Sequence, residues 1–236
     1  MTTEKRAIGI SQRIPIAVLD NALTYILRGD LQLRAEINRD LSEHIEGQNR
    51  LGKAAQLVNR IVLSTDTAKQ FARHFDLETY MHLSEGDKKA LILALLGSAF
   101  PFVFDIATDL ATILQAQPLV NAKYLQEKIS AKYGSNRATF IGFYAVIPMF
   151  LELGIIKRPK NGLYEKSDKY PVYTPIIKEL YIQTQLLATQ SKSILLNQVS
   201  DSPWFFYFDF GVLDIERLRF LNYAESGYSG RGILSR

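Results

Sequence analysis

The segment from Pro118 to Tyr173 constrains the fold most, because it carries the signals of two helices and a hairpin in close succession. Asn121 is a good helix cap, so we predict a first helix from about Ala122 to Tyr133. Gly134-Ser135 then supplies a tight turn. A second helix must therefore begin close to the end of the first.

This second helix is strongly apolar. It ends at Gly154, a residue suited to the left-handed position that follows many helices. Beyond it, Ile155-Ile156 and Leu163-Tyr164 can pair across an Asn161-Gly162 turn. Two helices followed by a hairpin indicate a winged helix-turn-helix, in which the hairpin is the wing. The apolar positions of the second helix, at i, i+3 and i+4 spacing, are Phe140, Phe143, Tyr144, Ile147, Phe150 and Leu151.

Positive charge is concentrated in the same segment. Residues 121 to 173 net +5, whereas the whole chain nets +4 and the remainder therefore −1. Such a module has the electrostatic footprint expected of a protein that binds the phosphates of double-stranded DNA. The simpler alternative is that these lysines only keep an exposed hairpin soluble. The predicted DNA-binding residues come from the first helix (Lys123, Lys128, Lys132), the turn and groove entrance (Ser135, Asn136, Arg137) and the wing (Lys157, Arg158, Lys160).

The start of the second helix offers few side chains that read base edges. Residues 135–137 and Thr139 are polar, but an apolar run begins at Phe140. We therefore expect contacts mainly to phosphates, with modest sequence preference. The competing interpretation is that the helix is buried against a partner, which would make the protein a winged-helix adaptor in a larger complex.

The remainder of the chain is predicted to be mainly helical. Pro101 stands where a proline opens a helix, and Pro175 to Ser193 reads as another helix. We expect residues 202–210 to be extended, with their aromatic side chains in the core, and residues 212–223 to be helical. The predicted architecture is mainly α, with an N-terminal helical bundle (1–116), a central winged helix-turn-helix with a small β-hairpin wing (117–174) and a C-terminal helical and aromatic element (175–236) that packs back on both.

Composition restricts the chemistry further. The 236 residues are 47% hydrophobic, which is enough for a sizeable core. Cysteine is absent, which excludes disulfides, cysteine-zinc sites and thiol nucleophiles and suits a reducing cytoplasm. The apolar run from Ala90 to Phe104 is shorter than the roughly 18 to 20 residues that a membrane span needs. We expect a cytoplasmic protein that does not enter the membrane.

Candidate catalytic residues are few. No phosphate-binding loop occurs, and the three histidines are too scattered in sequence for a metal centre. Asp105 and Asp109 share a predicted helix face and could hold a hard cation, although no lysine stands near them in a nuclease-like pattern. We therefore predict a protein that is not an enzyme and needs no cofactor or metal. A metal-dependent nuclease that uses this aspartate pair is the second alternative.

Three stretches resemble the BrxA family of small all-helical BREX phage-defence proteins. They are residues 50–62, the apolar helix at 88–96 followed by 104–109, and the helix that leads into 153–157. The resemblance implies a cytosolic, non-enzymatic, DNA-binding accessory encoded beside larger defence proteins, including a methyltransferase and an ATPase. None of the three stretches is catalytic, so no site residue is taken from the family.

Overall fold

The computed structural model describes residues 7–199, 201–225 and 232–235, and the described chain is mainly helical, as predicted. The short strands form three small sheets. The α-helices are Ile16–Leu27 (α1), Leu33–Ser42 (α2), Gln48–Asn59 (α3), Asp66–His74 (α4), Leu77–Met81 (α5), Glu85–Ala99 (α6), Pro101–Ala116 (α7), Ala122–Tyr133 (α8), Arg137–Glu152 (α9), Pro175–Ala188 (α10) and Leu196–Val199 (α11). The strands are Leu119–Asn121 (β1), Ile156–Lys160 (β2), Leu163–Lys166 (β3), Tyr170–Pro171 (β4), Ser193–Leu195 (β5), Phe208–Asp209 (β6), Asn222–Glu225 (β7) and Gly232–Ser235 (β8).

Helices α1 to α7 build the N-terminal bundle. Side-chain caps begin several of them: the oxygen atoms of Thr65, Asp76 and Ser84 accept hydrogen bonds from backbone N–H groups of α4, α5 and α6. Pro101 occupies the first turn of α7, as predicted. Helices α6 and α7 are the most buried pair and form a helical hairpin. Among the described residues, no helix is both long and apolar enough to cross a membrane.

The central module, residues 117–174, contains β1, α8, α9, β2 and β3 in chain order. The predicted cap is confirmed, because Asn121 Oδ1 accepts a hydrogen bond from Lys123 N at 2.8 Å. Gly134 and Gly154 follow α8 and α9 with φ angles of +88° and +71°, values that favour glycine. The predicted hairpin is also present, since strands β2 and β3 are antiparallel and are joined at Asn161-Gly162. The predicted pairing of Ile155-Ile156 with Leu163-Tyr164 was wrong, because Ile156 pairs with Lys166 and Leu163 pairs with Lys160.

Strand β1 joins the hairpin to the helices. It pairs antiparallel with β3, so the order across the sheet is β1-β3-β2, with Val120 opposite Tyr164. Immediately after β1, Ala122 N donates a hydrogen bond to Gly162 O at 2.8 Å. The start of α8 is therefore bonded directly to the turn of the hairpin.

The N-terminal segment packs on α9. Glu152, at the end of α9, accepts hydrogen bonds from Arg13 Nη2 at 2.6 Å and from Ile16 N at 2.8 Å. One carboxylate thus satisfies a backbone donor at the start of α1 and neutralises Arg13. A Cβ atom on Gly142 of α9 would lie 2.7 Å from Ile8 and 2.8 Å from Phe102, so the segment and α7 approach the backbone of α9 closely.

The C-terminal part packs on the bundle through α10 and an aromatic segment. Trp204 Nε1 donates to Tyr181 O at 3.1 Å, and Tyr181 Oη donates to Trp204 O at 2.8 Å. Their rings stack with centroids 4.6 Å apart, and both side chains are fully buried. Tyr207 Oη donates to Ala107 O of α7 at 2.6 Å. The aromatic side chains therefore lie in the core, as expected.

Three secondary-structure predictions for this part were wrong. Helix α10 ends at Ala188, and residues 203–207, predicted to be extended, form a 3₁₀ helix before β6. The predicted helix over 212–223 is replaced by a 3₁₀ turn at Ile215–Arg217 and by β7. The absence of this last helix is explained by the buried carboxylate of Glu179, which accepts hydrogen bonds from the backbone N–H groups of residues 219 to 221. Those donors are then unavailable to a helix.

Close packing at one glycine of α6 generates a stability prediction. A Cβ atom on Gly97 would lie 2.8 Å from the Trp204 ring, whereas one on Gly52 of α3 would meet nothing within 4 Å. Both substitutions to alanine gain similar helix propensity, so the difference isolates the clash. We expect Gly97→Ala to be less stable than Gly52→Ala by about 1–3 kcal/mol in urea unfolding. Equal stabilities would contradict the packing of Trp204 against α6.

Buried tyrosines generate a prediction about pH. Burial raises the pKa of Tyr80 well above its ordinary value of 10.0, and its hydrogen bond to Asp20 raises it further. Burial also raises the pKa values of Tyr181 and Tyr207. In the unfolded chain these groups ionise near pH 10, so stability should fall as the pH rises above about 10. We expect a shallower fall in Tyr80→Phe, measured by urea unfolding alongside tyrosinate absorbance. If the free energy of unfolding fell equally steeply with pH in wild type and in Tyr80→Phe, the predicted link between the buried Tyr80 and stability would be wrong.

Candidate nucleic-acid interface

The outer face of α9 combines one cation with apolar side chains. Arg137, Ile141 and Tyr144 share this face by helical spacing, and all three are exposed. Ile141 is 40% and Tyr144 67% exposed, whereas Phe143 and Phe150 are buried against the rest of the molecule. The surface that α9 presents to solvent is therefore mainly apolar, with its positive charge at the N-terminal end.

A groove runs between α8, α9 and the hairpin turn. Its lining includes Lys123 of α8, Tyr144 of α9 and Lys160 of β2, together with Asn161-Gly162 of the turn. The hydrogen bond from Ala122 N to Gly162 O closes one end and holds the turn beside the helix start. Two lysines thus lie at the edge of a groove that also contains the exposed Tyr144 of α9.

Lys123, Arg137 and Lys160 are the cations of this surface that are free to bind an anion. None of them forms an ion pair with any residue in the described part of the chain. We call these three residues the open cations. All are exposed, so an incoming phosphate would neither displace a carboxylate nor require a buried side chain to move.

The other two cations of β2 have partners inside the module. Lys157 Nζ lies 3.5 Å from Asp168 Oδ2, and both side chains are exposed. Arg158 donates a hydrogen bond to the side-chain oxygen of Asn161. Burial raises the pKa of Tyr164, and the positive charge of Arg158 opposes that rise. Both contacts are solvent-exposed and weak enough to be exchanged for a phosphate.

The prediction for Lys128 and Lys132 needs correction. Lys132 Nζ lies 2.8 Å from Asp109 Oδ2 and 4.0 Å from Asp105 Oδ1, and Lys128 Nζ lies 3.8 Å from Asp109 Oδ1. Both lysines therefore face α7 rather than the groove. Their charge neutralises carboxylates that are buried, with Asp105 7% and Asp109 6% exposed.

The same contacts change the interpretation of the aspartate pair. The expectation that no lysine stands near it was wrong, because Lys132 approaches from α8 across the helix interface. Tyr133 Oη also donates to Asp105 Oδ2 at 2.7 Å. The described residues contain no group of three histidines, cysteines or carboxylates placed to hold a metal ion. In this arrangement the carboxylate oxygens already form ion pairs with the two lysines and a hydrogen bond with Tyr133.

The turn residues divide into two kinds. Asn136 caps α9, since its Oδ1 accepts a hydrogen bond from Thr139 N at 3.1 Å, and its Nδ2 donates to Tyr133 O at 3.3 Å. That amide takes part in the turn, and the role at the groove entrance stays a prediction for Asn136. Ser135 is exposed beside it and Arg137 follows directly.

The exposure of Tyr144 was not predicted from the sequence. The spacing rule placed Tyr144 on the inner face together with Phe140 and Phe143, but it is 67% exposed. The buried face is instead centred on the line from Gly142 to Val146. Gly142 was the available signal, because a glycine inside a helix often marks a close contact.

Comparison of the chain with protein-family models, with curated proteins and with solved structures returned no match. The resemblance to the BrxA family and the DNA-binding role therefore stay predictions. The features that bear on a function are the groove, its charges and the exposed face of α9.

The contrast between two lysines of α8 is testable. Lys132→Gln removes the counter-charge of a buried carboxylate and should lower the free energy of unfolding by about 1–2 kcal/mol. This is less than for a fully buried pair, because the Lys132 side chain is 40% exposed. Lys123→Gln should change stability by less than about 0.5 kcal/mol. Urea unfolding measures both, and equal losses would contradict the different roles of these residues.

Proposed function

We propose that residues 117–174 form a winged helix-turn-helix that binds double-stranded DNA, mainly through its phosphates. The observation that carries the proposal is the set of open cations, Lys123, Arg137 and Lys160, on the surface shared by α8, α9 and the hairpin. Exposed cations that share one module and are not neutralised by carboxylates favour the binding of a polyanion.

The order of elements supports the same proposal. Helices α8 and α9 are joined by a short turn, and the β2–β3 hairpin follows α9 in the position of a wing. An α-helix fits the major groove of B-DNA, and α9 offers a face that is free of other elements at Ile141 and Tyr144. The wing would then lie beside the adjacent backbone.

The spacing of the charges fits contacts on both sides of a groove. Arg137 and Tyr144 are seven residues apart, or about 10 Å along the helix axis. Because Tyr144 lies in the groove with Lys123 and Lys160, positive charge is present at both ends of the exposed face. Lys157 and Arg158 add charge along the wing once their exposed partners are displaced.

Modest sequence preference follows from the chemistry of α9. Discrimination between base pairs needs side chains such as Arg, Asn or Gln that form paired hydrogen bonds with base edges. Ile141 and Tyr144 offer no such pair, and Asn136 is used as a cap. Arg137 is then the residue on this face best suited to read a base.

The cellular role that we propose is an accessory of a BREX phage-defence system in the cytoplasm, with other defence proteins as partners. It rests on the resemblance of three stretches to the BrxA family. We propose that the protein is not an enzyme and uses no cofactor, since Asp105 and Asp109 are held by Lys132 and Tyr133.

A second candidate function is a winged-helix adaptor that binds protein. The specific observation in its favour is the apolar character of the outer face, where Ile141, Tyr144 and the nearby Tyr124 are 40%, 67% and 52% exposed. Aromatic side chains of this kind are enriched at protein interfaces. The DNA titration below distinguishes the two candidates.

The prediction is that the protein binds several unrelated duplexes with similar affinity and with steep salt dependence. Anisotropy titrations should show a loss of about tenfold or more between about 50 and 200 mM salt. The triple variant Lys123→Gln, Arg137→Gln, Lys160→Gln should bind all duplexes more weakly. Its salt slope should be flatter by roughly one unit for each phosphate that the variant no longer neutralises.

A matched control changes the same net charge elsewhere. Arg28, Lys53 and Lys192 are exposed and form no ion pair with described residues, so Arg28→Gln, Lys53→Gln, Lys192→Gln removes one arginine and two lysines outside the module. This variant should bind nearly as the wild type does. Equal weakening of both triple variants would mean that net charge alone attracts DNA. Undetectable binding of wild-type protein at low salt would overturn the proposal and favour the adaptor.

A further inference from the structure

A second concave site lies beside α10, outside the groove. It has a volume of about 350 Å³, and its wall is formed by Ile182 of α10 and by the aromatic residues Phe205, Phe208 and Phe210. Eight of its twelve described lining residues are apolar, although polar atoms contribute about half of the lining surface. Concave sites of this size, with convergent polar groups among apolar side chains, are typical of small-molecule sites. The pocket is independent of the open cations and of the proposed DNA-binding role.

One charged side chain lies in this apolar wall. Lys178, in α10, lines the pocket and is only 9% exposed. Its Nζ donates to the backbone carbonyl of Val212 at 3.1 Å. In the described part of the chain no carboxylate lies within 4.0 Å of it, so its hydrogen-bond partner is a neutral carbonyl.

This arrangement leaves a buried ammonium group incompletely satisfied. An ammonium carries three donors, and a single carbonyl does not compensate the loss of water around a positive charge. Buried lysines are normally paired with an anion. The described part of the chain does not supply that anion, since Asp209, the carboxylate at the rim, directs its Oδ1 to Gly211 N at 3.0 Å.

We propose that this pocket binds a small monocarboxylate with an aromatic body, whose carboxylate pairs with Lys178. The rings of Phe205, Phe208 and Phe210 provide edges and faces for an aromatic group, because their own centroids are 5.0 to 6.0 Å apart. A dianion such as a phosphate monoester fits less well, because Lys178 is the one buried cation among the described residues of the lining and Asp209 repels a second negative charge.

Three probes with one body and different head groups test this. They are 4-phenylbutyrate, 4-phenylbutanol and 4-phenylbutylamine, titrated into the full-length protein by calorimetry at constant ionic strength. The carboxylate should bind about tenfold or more tightly than the alcohol, since a charge-assisted hydrogen bond replaces a neutral one. The amine should bind most weakly, because it places a second cation beside Lys178.

Two variants separate the lysine from the cavity. Lys178→Met keeps the length and apolar stem of the side chain, so it should fold and should bind the carboxylate no better than the alcohol. Ile182→Trp fills the cavity and should abolish binding of both probes. Lys169→Met, at the exposed rim, serves as the charge control and should keep the preference for the carboxylate. Thermal melts check that each variant is folded.

Several outcomes would overturn the proposal. It fails if wild-type protein binds no probe, if it binds the carboxylate no more tightly than the alcohol, or if folded Lys178→Met retains the preference. If Lys169→Met alone lost the preference for the carboxylate over the alcohol, the anion would bind at the rim, and the assignment to Lys178 would be wrong. None of these results depends on whether the central module binds DNA.

Discussion

The placement of the central module depends on two buried carboxylates of α7. Asp105 and Asp109 lie in the helix interface, where buried carboxylates need partners, and Lys132 and Tyr133 of α8 supply them. This contact fixes which side of α8 faces the bundle. Lys123, at the other end of the helix, is left in solvent beside the hairpin. The cations of the groove are therefore positioned by ion pairs between α7 and α8 that lie outside the groove.

Other carboxylates organise the chain by accepting backbone N–H groups. Asp87 of α6 accepts hydrogen bonds from the N–H groups of Tyr173 and Thr174 just before α10. Glu179 does the same for residues 219 to 221, and Glu152 for the start of α1. These acidic residues stabilise chain segments within the fold. They do not mainly shape the electrostatic field outside the molecule. Net charge counted along the sequence is for that reason a poor map of the field outside the molecule.

Local signals predicted much of the fold. Asn121, Pro101 and the glycines after α8 and α9 act within one or two turns of chain, so their effects are visible in sequence. The partners of Lys128 and Lys132 were not predictable, because they lie on a different helix and pairing across helices leaves no periodic pattern. Residues 212–223 have helical spacing, yet tertiary hydrogen bonds to Glu179 outweigh it. The pocket beside α10 likewise exists only after distant segments pack.

The contact between the N-terminal segment and α9 has a consequence for synthesis in the cell. Ile8 packs at Gly142, and Arg13 binds Glu152, so each partner emerges from the ribosome more than a hundred residues later. At elongation rates of about 5 to 20 residues per second that interval is roughly seven to thirty seconds. During this time the first apolar residues are exposed without the surface that finally covers them. Helix α1 therefore gains the carboxylate at its N-terminus only when α9 has been completed.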